Sequence, residues 1–187
     1  MSLGGVQRDD ELIVSAQAGD EAAFTELVRR HQSEVYTLAL RLTSDRELAA
    51  DVAQDALVRA WRALPRFRGD AQFSTWLYRI VVNVAWTHRK RAARHRADPL
   101  DPDQALEADA VSPEAAGDAA DLRPKLLLAL GQLSPEVRAV VVMKDVYDWP
   151  HGDIASHLGI SVAAAKVRLH RGRKRLRVIL DSEGAGP

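Results

Sequence analysis

Apolar residues recur at steps of three and four along residues 10–96, which is the spacing of one buried face of an α-helix. Asp20 stands where a helix N-cap is expected, and the apolar positions after it share one face: Phe24, Leu27, Val28, Val35, Leu38, Ala39 and Leu42. A third helix is predicted from about Arg46 to Leu64, where Pro65 ends it, and a fourth after residues 66–70. This half of the chain therefore reads as a helical bundle.

The same spacing returns from Leu126 to the C-terminal end. Ser134 followed by Pro135 predicts the start of a helix, and residues 153–180 predict two helices separated by a turn at Gly159. In the second of these, four small or apolar residues fall on one stripe: Ala165, Leu169, Gly172 and Leu176. The best β-branched run, 140–142, lies inside a segment of helical period. The fold class predicted is all-α, ending in a helix-turn-helix.

The formal net charge is zero, but the charges are sorted along the chain. Residues 1–96 carry fifteen Lys and Arg against twelve Asp and Glu, and residues 123–187 carry eleven against six. Between them, 97–122 holds eight acidic residues, eight alanines and three prolines, with no basic residue and no aromatic one. Such a segment cannot bury enough apolar surface to offset the entropy of ordering. We predict two basic helical domains, 1–96 and 123–187, joined by a flexible acidic linker.

Composition excludes several classes of protein. The chain has no cysteine, which rules out disulfides and thiolate metal sites and fits a reducing compartment. No apolar stretch is long enough to span a bilayer, so no membrane insertion and a cytoplasmic location are expected. There is no glycine-rich phosphate loop, no His/Glu metal constellation and no nucleophile with a paired base. We therefore expect no enzymatic activity, no catalytic residue, no cofactor and no metal site.

The last predicted helix has an apolar back and a basic front, which suits the major groove of DNA. An exposed basic face without a ligand is the alternative. Upstream, residues 67–83 combine aromatics, a glycine turn and a helix running into a basic block, a composition suited to unstacked bases. For Trp76 and Tyr78, a place in the core is the alternative interpretation.

Three segments taken together resemble the bacterial extracytoplasmic-function sigma factors, the group 4 class of RNA polymerase specificity subunits. They are 51–61, 67–83 and 154–173, in the family's order. The resemblance implies a non-catalytic factor that binds core RNA polymerase through its β and β′ subunits, reads the −10 and −35 promoter elements and helps to open the duplex. An anti-sigma factor is a further expected partner.

The resemblance also implies roles for individual residues. The segment that would grip the polymerase β′ coiled coil contributes Asp51, Gln54, Asp55, Leu57, Arg59 and Trp61. The −10 element would be bound by Arg68, Gly69, Asp70, Phe73, Trp76, Arg79, Asn83, Trp86, Thr87, Arg89, Lys90 and Arg91. The −35 element would be bound by Ser161, Ala163, Ala164, Lys166, Val167, Arg168, His170, Arg171 and Lys174.

Six positions depart from the family pattern. Ala163–Ala164–Ala165 stands where Gly-Thr-Val is usual, and Val167 replaces a small polar residue, so fewer side-chain hydrogen bonds are available to the −35 bases. Thr87 stands where Asp or Asn is frequent, and Gly152 stands near a helix start that is usually acidic. The linker could cover roughly 85 Å if extended and could lie in the polymerase channel, or it could be a solubilising spacer. A dimeric regulator with the same helix-turn-helix is the rival function.

Overall fold

The computed structural model describes residues 8–95 and 122–184, and within these ranges it contains helices and turns but no strand. The elements in chain order are α1 (Asp9–Gln17), α2 (Glu21–Thr43), α3 (Arg46–Ala63), a 3-10 turn (Leu64–Arg66), α4 (Phe73–His95), α5 (Leu122–Gly131), α6 (Pro135–Val141), a π-turn (Val142–Val146), α7 (His151–Leu158) and α8 (Val162–Gly184). The predicted all-α class with two helical domains is confirmed. The predicted linker lies outside the described residues apart from Leu122, which begins α5.

Local signals set the ends of the N-terminal helices. The Asp20 carboxylate accepts hydrogen bonds from the backbone N–H groups of Ala22 and Ala23, at 2.9 and 3.2 Å, and so caps α2. At the other end Ser44 takes the left-handed conformation, with φ 54°, and stops the helix. Asp45 then caps α3 by accepting from Leu48 N at 2.9 Å. The predicted boundary between these helices is therefore confirmed.

The N-terminal bundle is built around α2, which packs against α1, α3 and α4. Its apolar face is buried as predicted, with Leu27, Val35 and Leu38 at most 1% exposed. The Gln17 side chain ties α1 to the segment after α3 by donating to the carbonyls of Leu64 and Phe67, at 3.0 and 2.8 Å. These contacts fix where the chain leaves α3 and enters the loop before α4.

In the C-terminal bundle, α8 crosses α6 at Gly172 and packs on α7 across the turn. Gly159 has φ 67° and ends α7, and the Ser161 hydroxyl accepts from Ala164 N at 3.1 Å to begin α8. The predicted stripe is buried along its length. Ser134 occupies the N-cap position of α6, but its side chain makes no capping hydrogen bond.

A buried arginine of α6 joins the C-terminal ends of two other helices. Arg138 is 3% exposed and donates to the carbonyls of Leu130, Gly131 and Leu133, at 2.7 to 3.0 Å, which closes the C-terminal end of α5. It also donates to the Thr43 carbonyl at the end of α2, at 2.8 Å. Burial, with a smaller effect of nearby Arg89, lowers the pKa of Arg138 to about 10, so the side chain stays charged at neutral pH.

The two bundles therefore touch. Helix α2 contacts both α5 and α6, and the buried apolar side chains form one continuous cluster. The rings of Tyr78 and Tyr147 meet edge to face, with centroids 4.9 Å apart, and the Arg41 guanidinium lies 3.4 Å from the Tyr147 hydroxyl. Sequence reasoning predicted two bundles but not this contact, which brings α4 next to the C-terminal domain.

Candidate polymerase and nucleic-acid interfaces

The polymerase-binding residues predicted on α3 lie on its outer face. Asp51, Gln54, Asp55 and Arg59 are exposed, because Val52, Ala53, Ala56 and Ala60 carry the buried face. Leu57 is half-buried. Trp61 is also half-buried, and its ring packs on Phe24 with centroids 4.7 Å apart. The result is a polar ridge, rich in carboxylates, that can pair with basic side chains of a partner.

Sequence reasoning missed one side chain on this ridge. His88 of α4 lies 2.7 Å from Asp55, measured from Nε2 to Oδ2, and holds that carboxylate on the side facing α4. The sequence predicts that His88 lies on α4. It does not predict that His88 faces Asp55, because that depends on how α3 and α4 pack. The contact links the ridge to the helix that carries the predicted −10 residues.

The loop before α4 depends on Gly69, which has φ 75°. A side chain there would be strained whatever the space around it, because L-residues rarely adopt this conformation. Arg68 and Asp70 flank the glycine and form an ion pair at 3.1 Å, and both are highly exposed. The loop therefore presents one cation and one anion to solvent on either side of a tight turn.

Behind this loop lies an aromatic cluster. Phe73 is 7% exposed, and its ring packs against Phe67, Trp76 and His31 with centroid separations of 6.0, 5.5 and 5.2 Å. Trp76 is half-buried and also contacts Phe67, at 5.0 Å. Of these two predicted −10 residues, Phe73 lies in the core and anchors the loop, while part of the Trp76 surface remains accessible.

The outer face of α4 carries the remaining predicted −10 residues. The exposed ones are Arg79, Asn83, Thr87, Lys90 and Arg91. The Thr87 hydroxyl donates to the backbone carbonyl of Asn83 at 2.8 Å, so this hydrogen bond does not involve the Asn83 side-chain amide. Trp86 is half-buried beneath Arg89, whose guanidinium lies 4.9 Å from the ring centroid, and its indole N–H has no partner among the described residues.

Two cations of this face contact the C-terminal domain. Arg79 forms an ion pair with Asp153 at 2.9 Å and lies 5.8 Å from the Trp149 ring centroid. Arg89 forms an ion pair with Glu136. Burial, followed by the nearby charge of Arg168, lowers the pKa of Arg89. The structure thus brings two predicted −10 residues, Arg79 and Arg89, into contact with the C-terminal domain.

The predicted −35 face of α8 points away from its buried stripe. The exposed members are Ser161, Ala163, Lys166, Val167, His170, Arg171 and Lys174, while Ala164 and Arg168 are half-buried. Arg173 lies outside the predicted set and pairs with Asp145 of the same domain, at 2.5 and 3.1 Å. Val167 is 49% exposed, an apolar side chain among cations that suits contact with a thymine methyl group.

Neither a metal site nor a membrane span can be located in residues 8–95 and 122–184. No three or more His, Cys, Asp or Glu side chains there converge closely enough to share an ion. Every helix in the same ranges is too polar or too short to serve as a span.

Comparison with known proteins identifies both domains. Residues 27–95 match the sigma-70 region 2 family and residues 123–176 match sigma-70 region 4. The chain is 32% identical over 179 residues to the RNA polymerase sigma-H factor of Pseudomonas aeruginosa, covering 91% of this chain and 92% of that protein. It is 37% identical over 178 residues to the ECF RNA polymerase sigma factor SigM of Mycobacterium tuberculosis, covering 95% and 87%.

Solved structures agree with the family matches. CnrH, in complex with the cytosolic domain of CnrY, superposes with a TM-score of 0.58 at 29% identity over 93% of this chain and 97% of that one. The sigma factor RpoE of Bartonella quintana, in complex with the anti-sigma factor NepR, shares the fold with a TM-score of 0.62 at 24% identity, covering 84% and 96%.

The two matched regions define a sigma factor of the sigma-70 type. More narrowly, the chain belongs to the extracytoplasmic-function sigma factors. Its function is therefore promoter-specific transcription initiation with RNA polymerase, and factors of this family are not themselves catalysts. RNA polymerase and promoter DNA are its partners.

Proposed function

We propose that this sigma factor, of the group 4 class, reads the −10 element with its N-terminal domain and the −35 element with α8, and uses the α3 ridge to hold the β′ subunit. The observation that carries the proposal is the separation of polar faces. Helix α4 presents amide, aromatic and cationic groups, α8 presents cations with an apolar Val167, and α3 presents carboxylates. Each face has the chemistry of a different partner.

On α8 the cations Lys166, Arg171 and Lys174 suit the phosphates and the guanine acceptors of duplex DNA. The hydroxyl of Ser161 is already used to cap the helix, and residues 163–165 are alanines. Base recognition at −35 would therefore rest on few hydrogen bonds, with Val167 contacting thymine methyl groups and the cations following the shape of the backbone.

On α4 the half-buried Trp86, the accessible part of Trp76 and the exposed Asn83 suit single-stranded rather than paired bases. Flipping a base out of the duplex costs a few kcal/mol of stacking and pairing. Contacts made only to the flipped base and the separated strand offset that cost, so the domain would favour the open promoter by differential binding. The Gly69 loop would lie at the edge of the melted region.

Polymerase binding would rely on charge complementarity. Asp51 and Asp55 are exposed on one face of α3, one helical turn apart, and can accept hydrogen bonds from basic side chains of the β′ coiled coil. Contacts with the β subunit and with an anti-sigma factor, and a cytoplasmic location beside the polymerase, complete the proposal. Complexes with CnrY and NepR involve proteins of the same fold.

Run-off transcription with purified core polymerase and a genomic fragment library tests the proposal. We expect protein-dependent start sites, and their absence would refute the proposal.

On a promoter found in this way, Lys166→Ala with Arg171→Ala should remove the −35 footprint and leave core binding intact, with a loss of about tenfold or more in promoter affinity. Arg175→Ala with Arg177→Ala is the matched control, since it removes two exposed charges from the same helix, both beyond Lys174, the last predicted −35 residue.

The polymerase ridge is tested separately. Asp51→Asn with Asp55→Asn should weaken binding to core polymerase, whereas Asp10→Asn with Glu11→Gln, which removes two exposed carboxylates from α1, should not. Equal binding by all three proteins would remove the ridge from the proposal.

A further inference from the structure

Helix α1 lies before the matched sigma-70 region 2, which begins at residue 27, and it carries none of the predicted binding residues. Its last residue, Gln17, nevertheless reaches the segment that follows α3. The Gln17 Nε2 group donates to the carbonyls of Leu64 and Phe67, at 3.0 and 2.8 Å, and the Phe67 N–H also donates to the Leu64 carbonyl at 2.9 Å. One side-chain amide thereby fixes the 3-10 turn from which the loop before α4 departs.

The first residue of α1, Asp9, acts on the residue at which α4 starts. Asp9 Oδ2 accepts a hydrogen bond from His31 Nε2 at 2.8 Å, and Asp9 Oδ1 accepts one from Arg30 at 2.9 Å. Burial raises the pKa of Asp9, but the hydrogen bonds from His31 and Arg30 outweigh it, so the pKa is lowered and the carboxylate is charged at neutral pH. The His31 ring, oriented by this contact, packs on Phe73 with centroids 5.2 Å apart.

The Gly69 loop has few contacts of its own that fix its position. Its tip carries the ion pair of Arg68 and Asp70, whose side chains are 82% and 73% exposed, and such an exposed pair contributes little stability. A Cβ at Gly69 would meet nothing within 4 Å beyond its chain neighbours. Within the described residues, both side-chain hydrogen bonds that reach 64–72 from another element come from Gln17. The loop is therefore positioned by its two ends, and α1 acts on both of them.

The aromatic cluster joins these two ends. Phe67 and Phe73 both contact Trp76, with centroid separations of 5.0 and 5.5 Å. The Phe67 carbonyl is held by Gln17, and the Phe73 ring is held by His31. Trp76 is half-buried, and its accessible part belongs to the surface that we assign to single-stranded −10 DNA. Because closely packed rings cannot move independently, a shift of either phenylalanine also displaces this surface.

We propose that α1 is a brace for promoter opening, which holds the Gly69 loop and the Trp76 surface in the arrangement that receives single-stranded −10 DNA. Gln17, Asp9 and His31 are its positioning residues. The inference rests on the proposed −10 role of the loop and of α4. The brace acts without touching a base: it limits the freedom of the loop before DNA arrives, so less conformational entropy is lost when the separated strand is captured.

Fluorine NMR of the full chain labelled with 5-fluorotryptophan tests the brace in the free protein. The chain has four tryptophans, so four resonances are expected, and Trp76→Phe identifies the one that reports on the aromatic cluster. The test variant, Gln17→Met, keeps the length of the side chain and removes its N–H donor. Its Trp76 resonance should shift or broaden while the other three stay in place. The control is Gln32→Met, the same replacement at an exposed glutamine of α2.

The rate of strand opening tests the consequence for function. Holoenzyme is assembled with core polymerase on a promoter from the run-off experiment, and permanganate-reactive thymines in the −10 region are followed over time at several holoenzyme concentrations. Gln17→Met should lower the opening rate at saturating holoenzyme about 2- to 10-fold, which is the range that the net contribution of one hydrogen bond gives. The half-saturating holoenzyme concentration and the affinity for core polymerase should not change. A variant that is merely less folded would lose amplitude instead of rate.

Asp9→Asn tests the other end of the brace. It removes the charge that pairs with His31 at nearly constant shape, whereas Asp10→Asn removes an exposed charge from the same turn of α1. Asp9→Asn should shift the Trp76 resonance and slow opening about 1.4- to 5-fold, the range for a partly exposed ion pair. Asp10→Asn should do neither.

Three results would overturn the inference. Equal Trp76 resonances in Gln17→Met and Gln32→Met would show that α1 does not position the cluster. A shifted resonance with an unchanged opening rate would show that this position does not matter for opening. Movement of all four resonances, together with weaker core binding, would make α1 a folding element only. Failure of the proposed function is distinguishable from all three, because the parent holoenzyme itself would then show no reactive thymines.

Discussion

Replacing Gly172 with alanine should destabilise the C-terminal domain, although alanine is the better helix former. A Cβ at this position would lie 2.4 Å from Val141 Cγ2 and 2.8 Å from Val137 Cγ1. An ordinary van der Waals contact begins at 3.4 Å, so Val141 Cγ2 would have to move away by about 1 Å. Valine in a helix has one strongly preferred rotamer, so the side chains cannot simply turn away. Helices α6 and α8 would have to separate.

The change in the free energy of unfolding for Gly172→Ala depends on two opposing effects, the higher helix propensity of alanine and the overpacking that its Cβ causes. Alanine gains about 1 kcal/mol over glycine inside a helix, and overpacking of a close contact costs about 1 to 3 kcal/mol. The expected result for Gly172→Ala is therefore a net loss of up to about 2 kcal/mol. Gly152→Ala is the matched control, because a Cβ there meets nothing within 4 Å. It should be stabilising by up to about 1 kcal/mol.

Urea unfolding of the full chain, followed by circular dichroism of the helices, gives the free energy of unfolding of both variants and of the parent. The slope of that free energy against urea concentration should be the same for all three proteins. Val137 is one of the two valines that a Cβ at position 172 would meet. Shortening it should relieve part of that overlap, so Val137→Ala should lower the free energy of unfolding less in the Gly172→Ala variant than in the parent. Gly172→Ala as stabilising as Gly152→Ala would refute the close crossing of α6 and α8, and with it the placement of the α8 basic face.

Three further predictions follow from single side chains. Arg138→Leu should lower the free energy of unfolding by about 3 kcal/mol or more, because each buried carbonyl left without a donor costs about 1 to 3 kcal/mol. Arg138→Lys should recover only part of that loss, since one ammonium cannot reach four acceptors. Gly159→Ala should cost about 1 kcal/mol in thermal unfolding because alanine is strained at the left-handed φ of 67°, although its Cβ would meet no neighbouring residue within 4 Å. Gly159→Asn should cost less, because asparagine tolerates this conformation better. Burial, then the charge of Arg79, lowers the pKa of His157 below 6.5. As the pH drops through 6.5, the unfolded chain protonates this histidine before the folded protein does, so the free energy of unfolding should fall. The melting temperatures at pH 5.5 and 7.5 should therefore differ less in the His157→Gln variant than in the parent protein.

Features that depend on neighbouring residues were predictable from the sequence. Asp20 caps α2 because its side chain reaches backbone N–H groups two and three residues ahead. Gly159 ends α7 because a glycine tolerates the left-handed turn. The buried stripe of α8 follows from the helical period, as does the outward direction of Lys166 and the other cations.

Burial of particular aromatics was less predictable. Phe73 and Trp86 were both assigned to the −10 site, yet Phe73 is 7% exposed and the Trp86 indole N–H is enclosed. Periodicity places a residue on a face of its own helix, but it does not show how far a neighbouring loop or domain covers that face. The position of Asp55 beside His88 is of the same kind, since it depends on how α3 and α4 pack.

By itself, then, the sequence determined the helices, their ends, the basic and acidic faces they expose and the family to which they belong. Only the tertiary structure decided which charges meet. Arg138 reaches Thr43 across 95 positions of the chain, and Arg79 reaches Asp153 across 74. Such pairs depend on the relative placement of whole bundles. No local hydrogen bond or helical period encodes that placement, because it is set by the sum of many contacts between distant side chains.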